Sequence, residues 1–363
     1  MKNTIAAANA RETFNGSQGC GQSAESKHHM ENTQFESTST KIFAGIDVSK
    51  GTLVCSLVDA AESSIKWRQT FINSEEGVSR LLAKIPSGAS LAIEPTGRYG
   101  NVLIEQATGA GLTVLLAPGK RAKSFNRSVQ PRAKTDPIDS LGLALFANSR
   151  PLWAYHLKSE AVDRIDQHLS YRKLLSRTVA AMKLQAQSSP MVAEALLDTV
   201  SELQERIAKL DKTIAALVKD DPQFAMIPKL KQVPGFGPVV STAVVSRLIH
   251  KQFTKPAQFV AYIGLDIAVN QSGKRKGQLG LTKDGDGEMR RLLFLAAQSS
   301  IRVKDSPFKQ QYDRELAKGH AKIQAICTVA RKMAQLAWSM VHNQSTYDPL
   351  RVYKAPSRET KPN

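Results

Sequence analysis

The chain has 363 residues, 42% of them hydrophobic, enough for two or three domains with filled cores. Its 50 Lys and Arg against 32 Asp and Glu give a formal charge of +18 and a pI near 9.8, which points to a polyanionic partner such as nucleic acid. Three scattered cysteines (Cys20, Cys55, Cys327) form neither a disulfide framework nor a zinc spacing, no apolar run is long enough to span a bilayer, and no signal pattern opens the chain. The expected setting is the cytoplasm, at the bacterial nucleoid, with no membrane partner.

Residues 1–40 are polar and aperiodic and read as a disordered extension. Residues 41–155 alternate strand-like runs (KIFAGIDV, TLVCSLVD, SLAIEP, LTVLLAP) with helix-like segments, an order that predicts a mixed sheet covered by helices. The first run, Ile42 to Val48, has the apolar character of a central strand, and Ser49-Lys50-Gly51 marks a turn into a second, antiparallel one. Asp47 interrupts the first run. A carboxylate there costs several kcal/mol unless it is paired, hydrogen-bonded or metal-bound.

Residues 156–221 carry helical periodicity. Leu196, Val200, Leu203, Ile207, Leu210, Ile214 and Leu217 alternate by four and three, a three-heptad seam. A hairpin packing on its own chain and a dimerising coiled coil both satisfy that spacing, and Pro190 sets a break before it. Residues 222–345 form a mainly helical C-terminal domain, and 346–363 read as a loose tail.

Glu94 ends a strand and is stopped by Pro95. Asp136 and Asp139 lie in KTDPIDS, where Asp136 suits an N-cap and Asp139 a first helical turn. Taken as a set, the strand Asp, the strand-end Glu and the Asp pair are the parts of a carboxylate cluster. Four such groups repel one another unless about two Mg²⁺ neutralise them, and two ions about 4 Å apart serve phosphoryl transfer. Lys120, Arg121, Lys123, Arg127, Arg132 and Lys134 occupy a stretch free of acids, read here as a basic loop that holds nucleic acid beside the metals; a merely solvated loop is the alternative.

GIDVSK, IEPTGRYG and KTDPIDS, in this order and spacing, resemble the DEDD motif of the IS110 family of insertion-sequence transposases, which are bridge-RNA-guided recombinases. The resemblance maps Asp47, Glu94, Asp136 and Asp139 onto the tetrad. It implies an α/β domain of RuvC-like, RNase H type with Mg²⁺ on the four carboxylates.

In the C-terminal half, VPGFGPVV places Gly235 and Gly237 in a turn between helices, where backbone N–H groups can face a phosphate or simply connect two helices. Ser272 lies in a Gln-Ser-Gly loop before Lys274, Arg275 and Lys276, with Arg290 and Arg291 on the following helix. A serine hydroxyl becomes a useful nucleophile where cations or metal stabilise the alkoxide and the phosphate; a lone Ser-Gly is otherwise a turn. Ser241 and Ser246, on an amphipathic stretch, are poorer candidates. The segments PGFG, YIGL, SG and TKDG followed by Arg290 resemble the C-terminal domain of the same family. That resemblance implies Ser272 as the nucleophile, a phosphoserine link to DNA, and help from the metal site of a partner subunit.

The implied protein is a DNA recombinase acting on double-stranded target and donor DNA with a structured guide RNA, as a homodimer or homotetramer. A junction-resolving nuclease using the DEDD site alone is the main alternative. GIDVSK also resembles the first phosphate loop of actin-type sugar kinases, whose second loop would have to be KDGDGE at 283–288.

Overall fold

The computed structural model describes residues 42–62, 64–94, 97–129, 135–150, 152–251, 253–268, 271–272, 275–276 and 280–353; for Arg98, Trp153, Gln271, Ser272, Arg275 and Lys276 it describes the backbone only. The extension at 1–40 and the candidates Arg132, Lys134 and Lys274 lie outside the described residues. The chain divides into two compact units, 1–153 and 154–363.

The first unit runs β1 (Ile42–Val48), β2 (Thr52–Asp59), β3 (Ser64–Ile72), α1 (Glu75–Leu82), β4 (Ser90–Ile93), α2 (Asn101–Gly109), β5 (Thr113–Leu116), α3 (Gly119–Val129), α4 (Asp136–Ser149) and β6 (Trp153–Ala154). The sheet order is β3-β2-β1-β4-β5-β6; β1–β3 form an antiparallel meander, while β4 and β5 run parallel to β1. Ser49 closes the first hairpin, its hydroxyl accepting from the Thr52 N–H at 2.9 Å. β1 sits centrally with Phe43, Ala44, Gly45, Ile46 and Val48 buried, as its apolar run requires.

α4 packs on β1, β2 and β4. It can approach so closely because residue 45 is glycine: a Cβ there would lie 2.0 Å from the Ser140 carbonyl oxygen. Beside this contact the buried Ser56 and Ser140 hydroxyls meet at 2.8 Å.

Residues 119–129, expected as a basic loop, are a helix instead. Ala122 is buried and the Phe125 ring packs 5.4 Å from that of Phe146 on α4, so one apolar edge suffices to seat α3 while its cations face outward.

The second unit opens with a helical hairpin, α5 (Glu160–Ser188) and α6 (Ala193–Lys219), joined through a 3-10 turn at Pro190–Val192. The seam of α6 packs on α5 of its own chain: Val200, Leu210 and Ile214 are buried, and Val162, Ile165, Leu169 and Leu175 of α5 are buried too. Arg172 and Asp211 bind across the hairpin, with Nη2 donating to Oδ2 at 2.9 Å.

There follow α7 (Ile227–Leu230), α8 (Pro238–His250), α9 (Pro256–Ile263), the short strands β7 (Ile267–Ala268), β8 (Gln271–Ser272), β9 (Arg275–Lys276) and β10 (Gly280–Leu281), then α10 (Gly287–Ser300), α11 (Pro307–Ala317), α12 (Lys322–His342) and α13 (Pro349–Val352). Phe224, Phe259, Met289, Leu293, Phe308 and Met333 fill one core. Of the segment expected as a loose tail, residues 346–353 are among those described, and they include α13. Val352 is buried, and the Tyr353 ring is covered by Arg314 and Lys332, each 5.2 Å from its centroid. No described helix is long and apolar enough to cross a membrane.

Candidate functional site

The candidate residues fall into two sets, one in each unit. In the first, Ile46 pairs with Ile93 in parallel register, so Asp47 and Glu94 each stand one residue beyond that pair at the carboxyl ends of adjacent strands. Strand alternation puts Asp47 on the same face as Gly45, which is the face α4 covers. Asp47 is half-buried and pairs in register with Val54.

Glu94 meets α3. Lys123 Nζ is 3.4 Å from Glu94 Oε1, and a Cβ at Gly119 would lie 2.3 Å from the same oxygen. Asp139 is held from the same helix, Asn126 Nδ2 donating to its Oδ1 at 3.1 Å. Asn126 in turn rests where Gly142 has no side chain.

Asp136 is exposed in the first turn of α4. It is not the N-cap: Thr135 takes that place with extended backbone, its carbonyl accepting from the Ile138 and Asp139 N–H groups at 2.9 Å each. Pro137 therefore falls one position deeper than expected.

The tetrad thus comes from β1, the end of β4 and the start of α4, elements that pack on one another. Among the described residues, no three carboxylate, His or Cys side chains stand close enough to hold one ion together. Chemically the donor set fits a hard divalent cation, since it offers carboxylate oxygens alone. Of the predicted basic residues nearby, Lys120, Arg121, Lys123 and Arg127 are exposed on α3.

In the second unit, Ser272 and Arg275 are register partners in the β8–β9 hairpin, with Gly273 and Lys274 between them. β7 and β10 form a second pair, Ala268 opposite Gly280 and Ile267 opposite Leu281. Arg290 Nη1 donates to the Ile263 carbonyl at 2.7 Å, and Arg291 Nη2 pairs with Glu288 Oε1 at 2.6 Å.

KDGDGE is a helix start, with Asp286 as N-cap accepting from the Glu288 and Met289 N–H groups at 3.0 and 2.9 Å. Gly235 is spent on packing, since its φ is +89° and a Cβ would meet the Ala296 carbonyl at 2.2 Å. Ser241 and Ser246 are fully buried.

One partly buried constellation has no sequence signature. Asp166 accepts from Ser246 Oγ at 2.6 Å and from Arg247 Nη1 at 2.9 Å, and Arg247 Nε reaches Asp286 at 3.2 Å. Burial works against ionised Asp166, but Arg247, Lys158 and Ser246 outweigh it and hold the carboxyl below its ordinary range. These residues are about 80 and 120 apart in the chain, so only the fold brings them together.

Residues 44–189 match the IS110-type DEDD family profile, described as "Transposase", and residues 228–313 match the profile described as "Transposase IS116/IS110/IS902 family". Together the two cover more than half of the chain. It belongs to this family of insertion-sequence transposases.

Among curated proteins the transposase is 23% identical over 324 residues to the "Pilin gene-inverting protein" of Moraxella bovis, covering 85% of this chain and 98% of that one. It is 21% identical over 390 residues to the "Insertion element IS116 uncharacterized 44.8 kDa protein" of Streptomyces clavuligerus, with 85% and 96% covered. A solved structure, "T. thermophilus RuvC in complex with Holliday junction substrate", aligns at 17% identity and a TM-score of 0.25, covering 31% of this chain and 98% of that one. By its family the transposase is a DNA-processing enzyme, with a mixed-sheet DEDD domain and a mostly helical C-terminal region.

Proposed function

We propose that this transposase cuts and rejoins DNA through a serine nucleophile, Ser272, assisted by Mg²⁺ at the DEDD site and directed by a structured guide RNA. The observation that carries the reading is the placement of Ser272 opposite Arg275 in the two-residue hairpin, within a run of cations in a family of transposases. Arg275, Lys276 and Lys274 supply positive charge for the attacked phosphate.

Ser272 Oγ gives up its proton and bonds to phosphorus, the bond to the 3′ oxygen breaks, and a 3′ hydroxyl leaves with a proton. A hydroxyl of a second strand then attacks the phosphoserine, releases Oγ and restores the phosphodiester, so no high-energy cofactor is consumed. Asp47, Glu94, Asp136 and Asp139 would hold Mg²⁺, two ions by the charge of the set, which supply charge neutralisation at the phosphate when bound.

The +18 balance and the exposed cations of α3 support binding of double-stranded target and donor DNA and of the guide. Assembly as a homodimer or homotetramer would let the DEDD site of one subunit serve the serine of another.

A denaturing gel of end-labelled DNA, with and without protease, tests the reading. A protease-sensitive shifted band that Ser272→Ala abolishes supports it. Cleaved free ends without such a band would replace it with a metal-only junction nuclease.

A further inference from the structure

The ribbon bearing Ser272 leaves the helical core at 262–268 and returns at 280–286. Five consecutive carbonyls on the outgoing segment are each taken by a partner. Tyr262 accepts from the Asp286 N–H at 2.9 Å, Ile263 from Arg290 Nη1 at 2.7 Å, and Gly264 from the Lys283 N–H at 3.3 Å. Leu265 accepts from Arg331 Nε at 2.9 Å and Asp266 from the Thr282 N–H at 3.0 Å. The Thr282 hydroxyl also donates to the Asp266 carboxylate.

Two glycines permit this closeness. Gly264 (φ +72°) and Gly285 (φ +111°) sit in the left-handed region; a Cβ at the first would be 2.3 Å from the Asp284 carbonyl, and at the second 2.0 Å from the Tyr262 carbonyl. The base of the ribbon is thus a closed collar in which α10 and α12 each commit a guanidinium to the backbone.

We infer that Arg290 and Arg331 are positioning residues that set the direction of the Ser272 ribbon. The chemical consequence rests on Ser272 being the nucleophile; the collar itself does not. A charge-assisted hydrogen bond to a carbonyl at the end of α9 satisfies a group the helix leaves unpaired and fixes where the chain exits. An attacking oxygen misplaced by about 1 Å costs on the order of a hundredfold in rate, so a loosened collar should depress the covalent step while leaving nucleic-acid affinity alone.

The test uses full-length Arg290→Ala and Arg331→Ala, with Thr282→Val as a milder variant that keeps all five carbonyl bonds and removes only the hydroxyl bond to the Asp266 carboxylate, without touching α10 or α12. Amide hydrogen exchange is followed at 267–268 and 280–282 beside the interiors of α10 and α12, together with protein–DNA adduct yield and the salt dependence of DNA binding. The expected result is at least about tenfold faster exchange confined to the ribbon, adduct formation slowed by about tenfold or more, and an unchanged salt slope.

Unchanged ribbon exchange with a salt slope reduced by about one would make Arg290 a phosphate contact and overturn the inference. Exchange that also rises throughout α10 and α12, in Thr282→Val as in the arginine variants, would reduce the collar to general stability and overturn it as well. If the wild type forms no adduct, the serine reading falls, and the exchange data alone decide the collar.

Discussion

Lys123 Nζ lies 3.4 Å from Glu94 Oε1, and three residues further along α3 the Asn126 amide donates to Asp139 Oδ1 at 3.1 Å. One face of one helix therefore holds two of the four tetrad carboxylates. A cation that binds Glu94 competes with the Lys123 ammonium for the charge of the same carboxylate. Lys123→Ala is accordingly expected to tighten Mg²⁺ binding a few-fold by calorimetry, whereas Asp47→Asn weakens it and abolishes strand cleavage. Mg²⁺ affinity indifferent to both substitutions would separate the tetrad from metal.

Gly45 and Gly119 make a matched pair of probes. A Cβ at Gly45 meets the Ser140 carbonyl at 2.0 Å, and that carbonyl is backbone, so Gly45→Ala must push α4 off β1. Its expected cost is about 3 kcal/mol or more, read as a lower urea midpoint of the first unit. A Cβ at Gly119 meets only the end of the Glu94 side chain, which can swing away. Gly119→Ala should leave the urea midpoint nearly unchanged yet cut DNA cleavage by about tenfold or more, by misplacing a carboxylate that the metal chemistry needs.

Much of this site was legible in the residues. The polar intrusion of Asp47 into an apolar run marked a carboxylate within a strand, and a Pro after Glu94 marked one at a strand end; pairing of Ile46 with Ile93 puts them side by side. The helical state of α3 was not legible, because its cations mask an apolar edge of little more than Ala122 and Phe125. Heptad spacing located the α6 seam but is silent on what fills it, since knobs accept holes from any helix; α5 does so here. YIGL and TKDG carried only the family resemblance in the sequence, and the shared purpose of their glycines, a backbone collar closed by Arg290 and Arg331, appears only once segments 262–268 and 280–286 lie together.

His250 offers a pH test in the second unit. Burial, followed by repulsion from Lys251 and Lys158, lowers its pKa from 6.5 to about 4, while Asp166 opposes the shift. Between these values the unfolded chain binds a proton that the folded chain refuses. Stability should therefore fall as pH drops from 6.5 towards 4, and this contribution should be level outside that window. Allowing for partial solvent screening, the loss is of order 2 kcal/mol. Asp166, held low, begins to lose its own contribution only from about pH 5 downward, so the interval from pH 7 to pH 5 isolates His250. His250→Phe keeps a ring against Tyr155 and should flatten urea midpoints between pH 7 and pH 5. Equal slopes for variant and wild type would exclude His250 as the source.

The seam of α6 gives the last prediction. Leu210 is 8% exposed and packs toward α5 of its own chain, while Leu197 on the outer side of the same helix is 49% exposed. Leu210→Glu removes a buried side chain and inserts a carboxylate with no partner, an expected loss of roughly 3–5 kcal/mol. Leu197→Glu stays in water and should change stability by less than about 0.5 kcal/mol. Circular dichroism in urea measures both, and sedimentation follows the assembly state beside it. Were the seam an interface between subunits, Leu210→Glu would yield a folded protein of lower mass. Packing within the hairpin instead predicts unfolding of the second unit at lower urea, at protein concentrations high and low alike, because the partner helix is covalently attached and mass action has nothing to dissociate.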